Sequence, residues 1–126
     1  MARKAIYSES APDPIGPYSQ AIFINGMLFV SGQICLDAFS GTLLMNSIEE
    51  ETTQVMENLK AILEAAEMDF SNVVKCSIFL KDMGTFPKVN EVYGRYFGKT
   101  PPARETVEVS RLPRNVNVEI SCIAMR

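Results

Sequence analysis

The sequence predicts an α+β domain of order βββαβαββ, a single sheet with two helices over one face. Three observations carry this. Asn25-Gly26 lies between two β-prone runs and marks a two-residue hairpin, because both turn positions need positive φ. The stretch 48–67 repeats apolar residues at three-to-four spacing behind a Ser47-x-x-Glu50 capping box, the pattern of an amphipathic helix. Residues 73–81, VVKCSIFLK, alternate as a strand does. Strands and helices that interleave in this way pack as helices on one sheet face.

Taken in order, a short strand is expected at Lys4–Ser8, before the hairpin. A tight turn at Asn25-Gly26 sets Ile24 opposite Met27, Gln20 opposite Ser31 and Tyr18 opposite Gln33. AFSG at 38–41 is a further turn. In the first helix Val55, Leu59, Ile62, Leu63 and Ala66 form the buried stripe. The strand after it puts Val74, Cys76, Ile78 and Leu80 on one face. A second helix is predicted at 86–97, with Pro87 in its first turn and Phe86, Val89, Tyr93 and Tyr96 as its stripe. Strands at 104–110 and 116–125 end the chain. Matching their apolar residues in an antiparallel pair sets Val107 opposite Val118 and Thr106 opposite Glu119, with Arg104 diagonal to Glu119. The valines then pack on the helices, and Arg104 and Glu119 converge on the bare face.

Composition bounds the function. The 126 residues make one domain, 1–126, long enough to bury a core without staples. A hydrophobic content of 47% and a mean hydropathy of +0.05 are high for a small domain and suggest apolar surface hidden between subunits. Cys35, Cys76 and Cys122 are odd in number and widely spaced, which argues against a disulfide framework or a zinc site and for a reducing compartment. No signal-peptide h-region follows MARKAIYSES, and no apolar run approaches a membrane span. A cytoplasmic protein is expected, with an organelle left open. The net charge of −3 and pI near 5.0 disfavour nucleic acid as a partner. The chain has no histidine, which removes Ser-His-Asp and Cys-His nucleophiles and the commonest general base. Catalysis, if any, falls to carboxylates, hydroxyls, arginine and lysine.

Arg104 is framed unusually. In PPARETVEVSRLP two prolines and an alanine deliver it to the first position of a strand. Its plain reading is a cross-strand salt bridge with Glu119 on a solvated face. Tyr18 then packs on its strand, Ser31 is a polar strand residue before Gly32, and Asn90 is an exposed helix residue. The cysteines read as inert small hydrophobes.

The segments IGPYSQA (15–21), VSGQI (30–34), NLKAILEAA (58–66), VVKCSIFLKDM (73–83), VNEVY (89–93), PPAR (101–104) and VEVSRLPRNVNVEI (107–120) resemble the reactive intermediate deaminase family, the Rid or YjgF-type proteins. The resemblance covers nearly the whole chain in order. It implies a chorismate-mutase-like fold assembled as a homotrimer, with bare sheet faces inward and active sites between subunits. It also implies hydrolysis of enamine/imine products of pyridoxal-phosphate enzymes, of the 2-aminoacrylate/2-iminopropanoate type, to a 2-keto acid and ammonia. The family arginine falls on Arg104 and the family glutamate on Glu119. Tyr18, Ser31 and Asn90 fall on further family positions, and Gly32 and Thr106 belong to the expected substrate-binding set. The chain departs from common family residues at Cys35, Glu67 and Ser121, and several members carry a cysteine at the position of Thr106.

On that resemblance Arg104 clamps the substrate carboxylate through its planar fork while Glu119 activates a water. Tyr18 and Ser31 hydrogen-bond the substrate, and Asn90 lines the pocket. An imine is already electrophilic, so neither metal nor cofactor is expected. The implied partners are small 2-imino and 2-keto acids and further copies of the chain. Two alternatives stand: an endoribonuclease inhibiting translation, and a non-catalytic carboxylate-binding or chaperone-like module.

Overall fold

The computed structural model describes residues 2–126. The expected order is observed: β1 (Lys4–Ile6), β2 (Ala21–Ile24), β3 (Met27–Gln33), α1 (Ile48–Ala65), β4 (Val73–Leu80), α2 (Phe86–Gly94), β5 (Ala103–Glu108) and β6 (Val118–Met125). The six strands form one mixed sheet in the order β1-β2-β3-β6-β4-β5. Asn25 and Gly26 take φ of 52° and 81°, the type I′ geometry that the Asn-Gly pair implied. Ile24 faces Met27 as expected, and the Ser31 amide still bonds the Gln20 carbonyl at 2.9 Å. The ladder stops there. Gln33 pairs instead with Ile120, and Tyr18 belongs to the preceding loop.

Helix α1 begins where the capping box placed it. Ser47 Oγ accepts from the Glu50 amide at 3.0 Å, while Glu50 Oε1 reaches one residue further back, to the Asn46 amide at 2.7 Å. At its other end Met68 N bonds Leu63 O and Glu67 N bonds Glu64 O, a Schellman closure with Glu67 at φ 59°. That position favours glycine, so a glutamate is strained there. The apolar stripe of α1 packs on the sheet, where Leu28, Leu59, Ile62, Leu63, Ile78, Leu80 and Ile120 are all fully buried. Each such side chain contributes about 1.5–3 kcal/mol. Glu51, also fully buried, accepts from the Asn117 and Val118 amides at 2.7 and 3.0 Å and from Asn117 Nδ2 at 2.8 Å. This carboxylate fixes where β6 starts.

Two strand expectations are corrected. In β4 the register shifts between Val73 and Lys75, so Val73 is buried with Cys76, Ile78 and Leu80 while Val74 is left exposed. The extra residue of a bulge changes the phase of the alternation. The pairing of the last two strands does not form. β5 pairs with β4 in parallel, and β6 lies between β3 and β4, antiparallel to both. Joined to β4 through α2, β5 becomes an edge strand, so the apolar match between Val107 and Val118 was not a contact. Val107 instead shares the open face with Phe79 and Glu119 and is 41% exposed. Helix α2 ends at Gly94, three residues early, and Tyr96 packs its ring on Phe70 beyond the helix, centroids 5.2 Å apart.

Candidate active site

The parallel register decides where Arg104 points. Arg104 sits opposite Cys76, which sits opposite Cys122, and all three face the helices. At this edge of the sheet α2 covers the guanidinium. Its Nη1 donates to Asn90 Oδ1 at 2.6 Å, and its carbon lies 5.0 Å from the Tyr93 ring centroid and 5.4 Å from that of Phe86. Phe86, Asn90 and Tyr93 stand at i, i+4 and i+7, one face of a helix. A cleft of about 360 Å³ opens here, lined by Asn90, Tyr93, Gly94, Pro101, Pro102 and Arg104. No carboxylate neutralises the arginine: the ion pairs among the described residues are Lys75–Glu105 and Arg95–Glu91. The plain salt-bridge reading therefore fails.

Thr106, two residues further along β5, turns to the same side. Its hydroxyl is buried without a hydrogen-bond partner among the described residues, as is that of Tyr93. Burial, and then the neighbouring Cys76 thiol, push the Tyr93 hydroxyl pKa well above its usual value. Burial likewise raises the Cys76 and Cys122 thiols, and it raises Cys35 to about 11. All three thiols stay protonated at neutral pH, so none is an activated nucleophile.

Glu119 lies on the other face. Its cleft, about 410 Å³, is lined by Ile15, Tyr18, Ser31, Gly32, Ile34, Pro113 and Glu119. Ser31 Oγ donates to the Ser19 carbonyl at 2.6 Å and so pins the Tyr18 loop over β3. Tyr18 remains 49% exposed at the cleft. The Glu119 side chain lies flat over Gly32, where an added Cβ would come within 2.9 Å of Glu119 Cδ and 3.1 Å of Cγ. Glycine is required by that close approach. Half-buried and without an ion pair among the described residues, Glu119 has its pKa raised by desolvation.

The expected site residues thus form two groups. Arg104, Asn90 and Thr106 gather on the helix side of the β5 edge. Tyr18, Ser31, Gly32 and Glu119 gather on the open face beside β3 and β6. The Thr106–Glu119 pair and the Arg104–Glu119 diagonal do not exist, because β4 and not β6 lies next to β5. Residue reading also missed Phe86 and Tyr93 as partners of Arg104, having assigned them to the core stripe. Their helical spacing to Asn90 was the available signal. Glu51 had one too: it stands in the buried stripe four residues before Val55.

The family described as Endoribonuclease L-PSP matches residues 8–126 of this chain. Protein DfrA of Myxococcus xanthus is 55% identical over 99% of this chain and 97% of its own length. The 2-iminobutanoate/2-iminopropanoate deaminase of Mus musculus is 46% identical over 100% of this chain and 93% of its own. The crystal structure of the E. coli YjgF gene product superposes with a TM-score of 0.93 at 40% identity, covering 98% of each chain. By fold, by length and by sequence this chain belongs to the YjgF-type, reactive intermediate deaminase (Endoribonuclease L-PSP) family.

Proposed function

We propose that the protein is a hydrolytic deaminase of 2-imino acids of the 2-iminopropanoate and 2-iminobutanoate type, acting as a cytoplasmic homotrimer with no metal or cofactor. The mouse relative bears the name of that activity. The observation that carries the reading is the uncompensated charge of Arg104, held at a cleft by neutral groups only. A guanidinium left without a carboxylate in an acidic protein is a receptor for one. Because Arg104 and Glu119 open on opposite faces, the complete site forms where the β5 edge of one copy meets the open face of the next. The exposed Phe29, Val107 and Met125 on that open face are suited to burial between copies.

In this site Arg104 binds the substrate carboxylate, and Glu119 removes a proton from a water adding to the imine carbon. The new C–O bond forms as the C=N π electrons move to nitrogen. Glu119 then returns the proton to that nitrogen, giving a carbinolamine. Glu119 next takes the hydroxyl proton and passes it to the nitrogen; the O–H electron pair becomes the second C–O bond as the C–N bond breaks, and ammonia leaves a 2-keto acid. A positioned base of this kind contributes about 10²–10⁴-fold. Tyr18 and Ser31 hydrogen-bond the substrate, Gly32 leaves room for Glu119, and Asn90 and Thr106 complete the wall around Arg104. The test uses freshly generated 2-aminoacrylate, following ammonia and pyruvate against the spontaneous reaction. No acceleration sinks the proposal. RNA cleavage in a parallel assay with no imine turnover would favour the endoribonuclease that the family description names.

A further inference from the structure

We propose that Phe86 and Tyr93 are positioning residues for Arg104, forming with Asn90 a cradle on α2 that orients the guanidinium without neutralising it. This rests on the reading of Arg104 as the carboxylate receptor and extends it to residues with no role so far. Three neutral groups meet the guanidinium: two ring faces at 5.0 and 5.4 Å and one amide oxygen at 2.6 Å. Each attracts a cation, and none carries a charge that would cancel it.

The nearby carboxylates are directed elsewhere. Glu91, one residue from Asn90, is held by Arg95 at 3.0 Å, an i,i+4 pair along α2. Glu105, one residue from Arg104, points to the open face and is held by Lys75 at 3.0 Å and by the Ser77 hydroxyl. In a chain with fifteen acidic and twelve basic residues, the arginine at the cleft is thus kept apart from both sequence-adjacent acids. Holding the long side chain in one rotamer before ligand arrives lowers the ordering cost of binding. Asn90 takes only one guanidinium nitrogen, so the remaining N–H groups stay free for a carboxylate.

The test compares wild type with Phe86→Leu, Tyr93→Leu and Arg104→Ala. The Arg104 Nε–Hε resonance, identified by its absence in Arg104→Ala, reads the cradle without any ligand, because ring faces shift it from the ordinary arginine position. Pyruvate affinity and the separate kcat and KM read its use. Phe86→Leu should return the resonance toward the ordinary position and weaken pyruvate by about tenfold, raising KM more than it lowers kcat. Tyr93→Leu removes the ring face at 5.0 Å, so both readouts should move in the same direction as in Phe86→Leu. In the Arg104→Ala background Phe86→Leu should change pyruvate binding no further. An unmoved resonance and unchanged affinity in Phe86→Leu overturn the cradle. Wild type that binds no pyruvate overturns the deaminase reading, and the resonance then decides the cradle alone.

Discussion

Arg104 and Glu119 project from opposite faces of one sheet, separated by the single strand β4. Neither side chain can serve the other within a chain. A mixing experiment follows from this if sites form between copies. Arg104→Ala and Glu119→Gln should each be inactive alone. Co-refolded in equal amounts, they should recover about a quarter of wild-type activity, since about one interface in four would combine an intact arginine with an intact glutamate. Light scattering should give about three times the 14.0 kDa chain mass. A monomer, or a mixture with no recovered activity, would rule out the shared site.

Glu119→Gln keeps the shape of the side chain and removes the base. Turnover should fall by about 10²-fold or more. Desolvation raises the Glu119 pKa, so in wild type the acid limb of the pH–rate profile, where turnover is lost as Glu119 takes up a proton, should lie above the ordinary glutamate range. The stability effect has the opposite sense to that of a salt-bridged acid. The folded state holds the proton more tightly, so this group's contribution to wild-type stability falls as pH rises from the ordinary glutamate pKa to the raised one, then stays level. Glu119→Gln lacks that penalty and should be at least as stable as wild type at pH 7. Denaturant titration at pH 4 and pH 7 checks the sign.

Arg104→Ala should abolish deamination, and Arg104→Lys should retain a small part, because lysine offers a point charge in place of a fork. The alanine variant should lose no more than about 1–2 kcal/mol of stability, the scale of its ring contacts. Pyruvate at about 100 times its Kd should stabilise wild type by about 2.7 kcal/mol and leave Arg104→Ala unprotected. Thermal melts with and without pyruvate measure this. Normal turnover by Arg104→Ala is the outcome that removes the clamp.

Glu67 closes α1 at a φ of 59°. Glu67→Gly relieves a side-chain clash of about 1–2 kcal/mol, less the extra flexibility glycine brings to the unfolded chain, about 0.5–1 kcal/mol. A net gain of about 0.5–1 kcal/mol is expected, with a rise of about 2–5 °C in Tm. Glu67 lines neither cleft, so kcat should not change. A lower Tm would show that the glutamate side chain makes up for its backbone.

Local chemistry settled much of this protein before any tertiary contact. Asn25-Gly26 determined a type I′ turn because asparagine and glycine take positive φ more readily than other residues do. Ser47 and Glu50 determined the start of α1, and the spacing behind them its buried stripe. The family motifs carried the choice of Arg104, Tyr18, Ser31, Asn90 and Glu119, which spacing alone left as ordinary surface residues. Strand neighbours were another matter. Alternation tells which residues of a strand share a face but not which strand lies beside it, and β5 offered valines that matched β6 as well as anything else. The connection through α2 laid β5 parallel on β4, and that choice sent Arg104 under the helix and left Val107 in the open. At Val73-Val74 one bulged residue reversed an alternation that sequence could only assume to be regular. The separation of Arg104 from Glu119 was decided by tertiary structure, because it depends on the order of strands in the sheet, and no run of residues encodes that order locally.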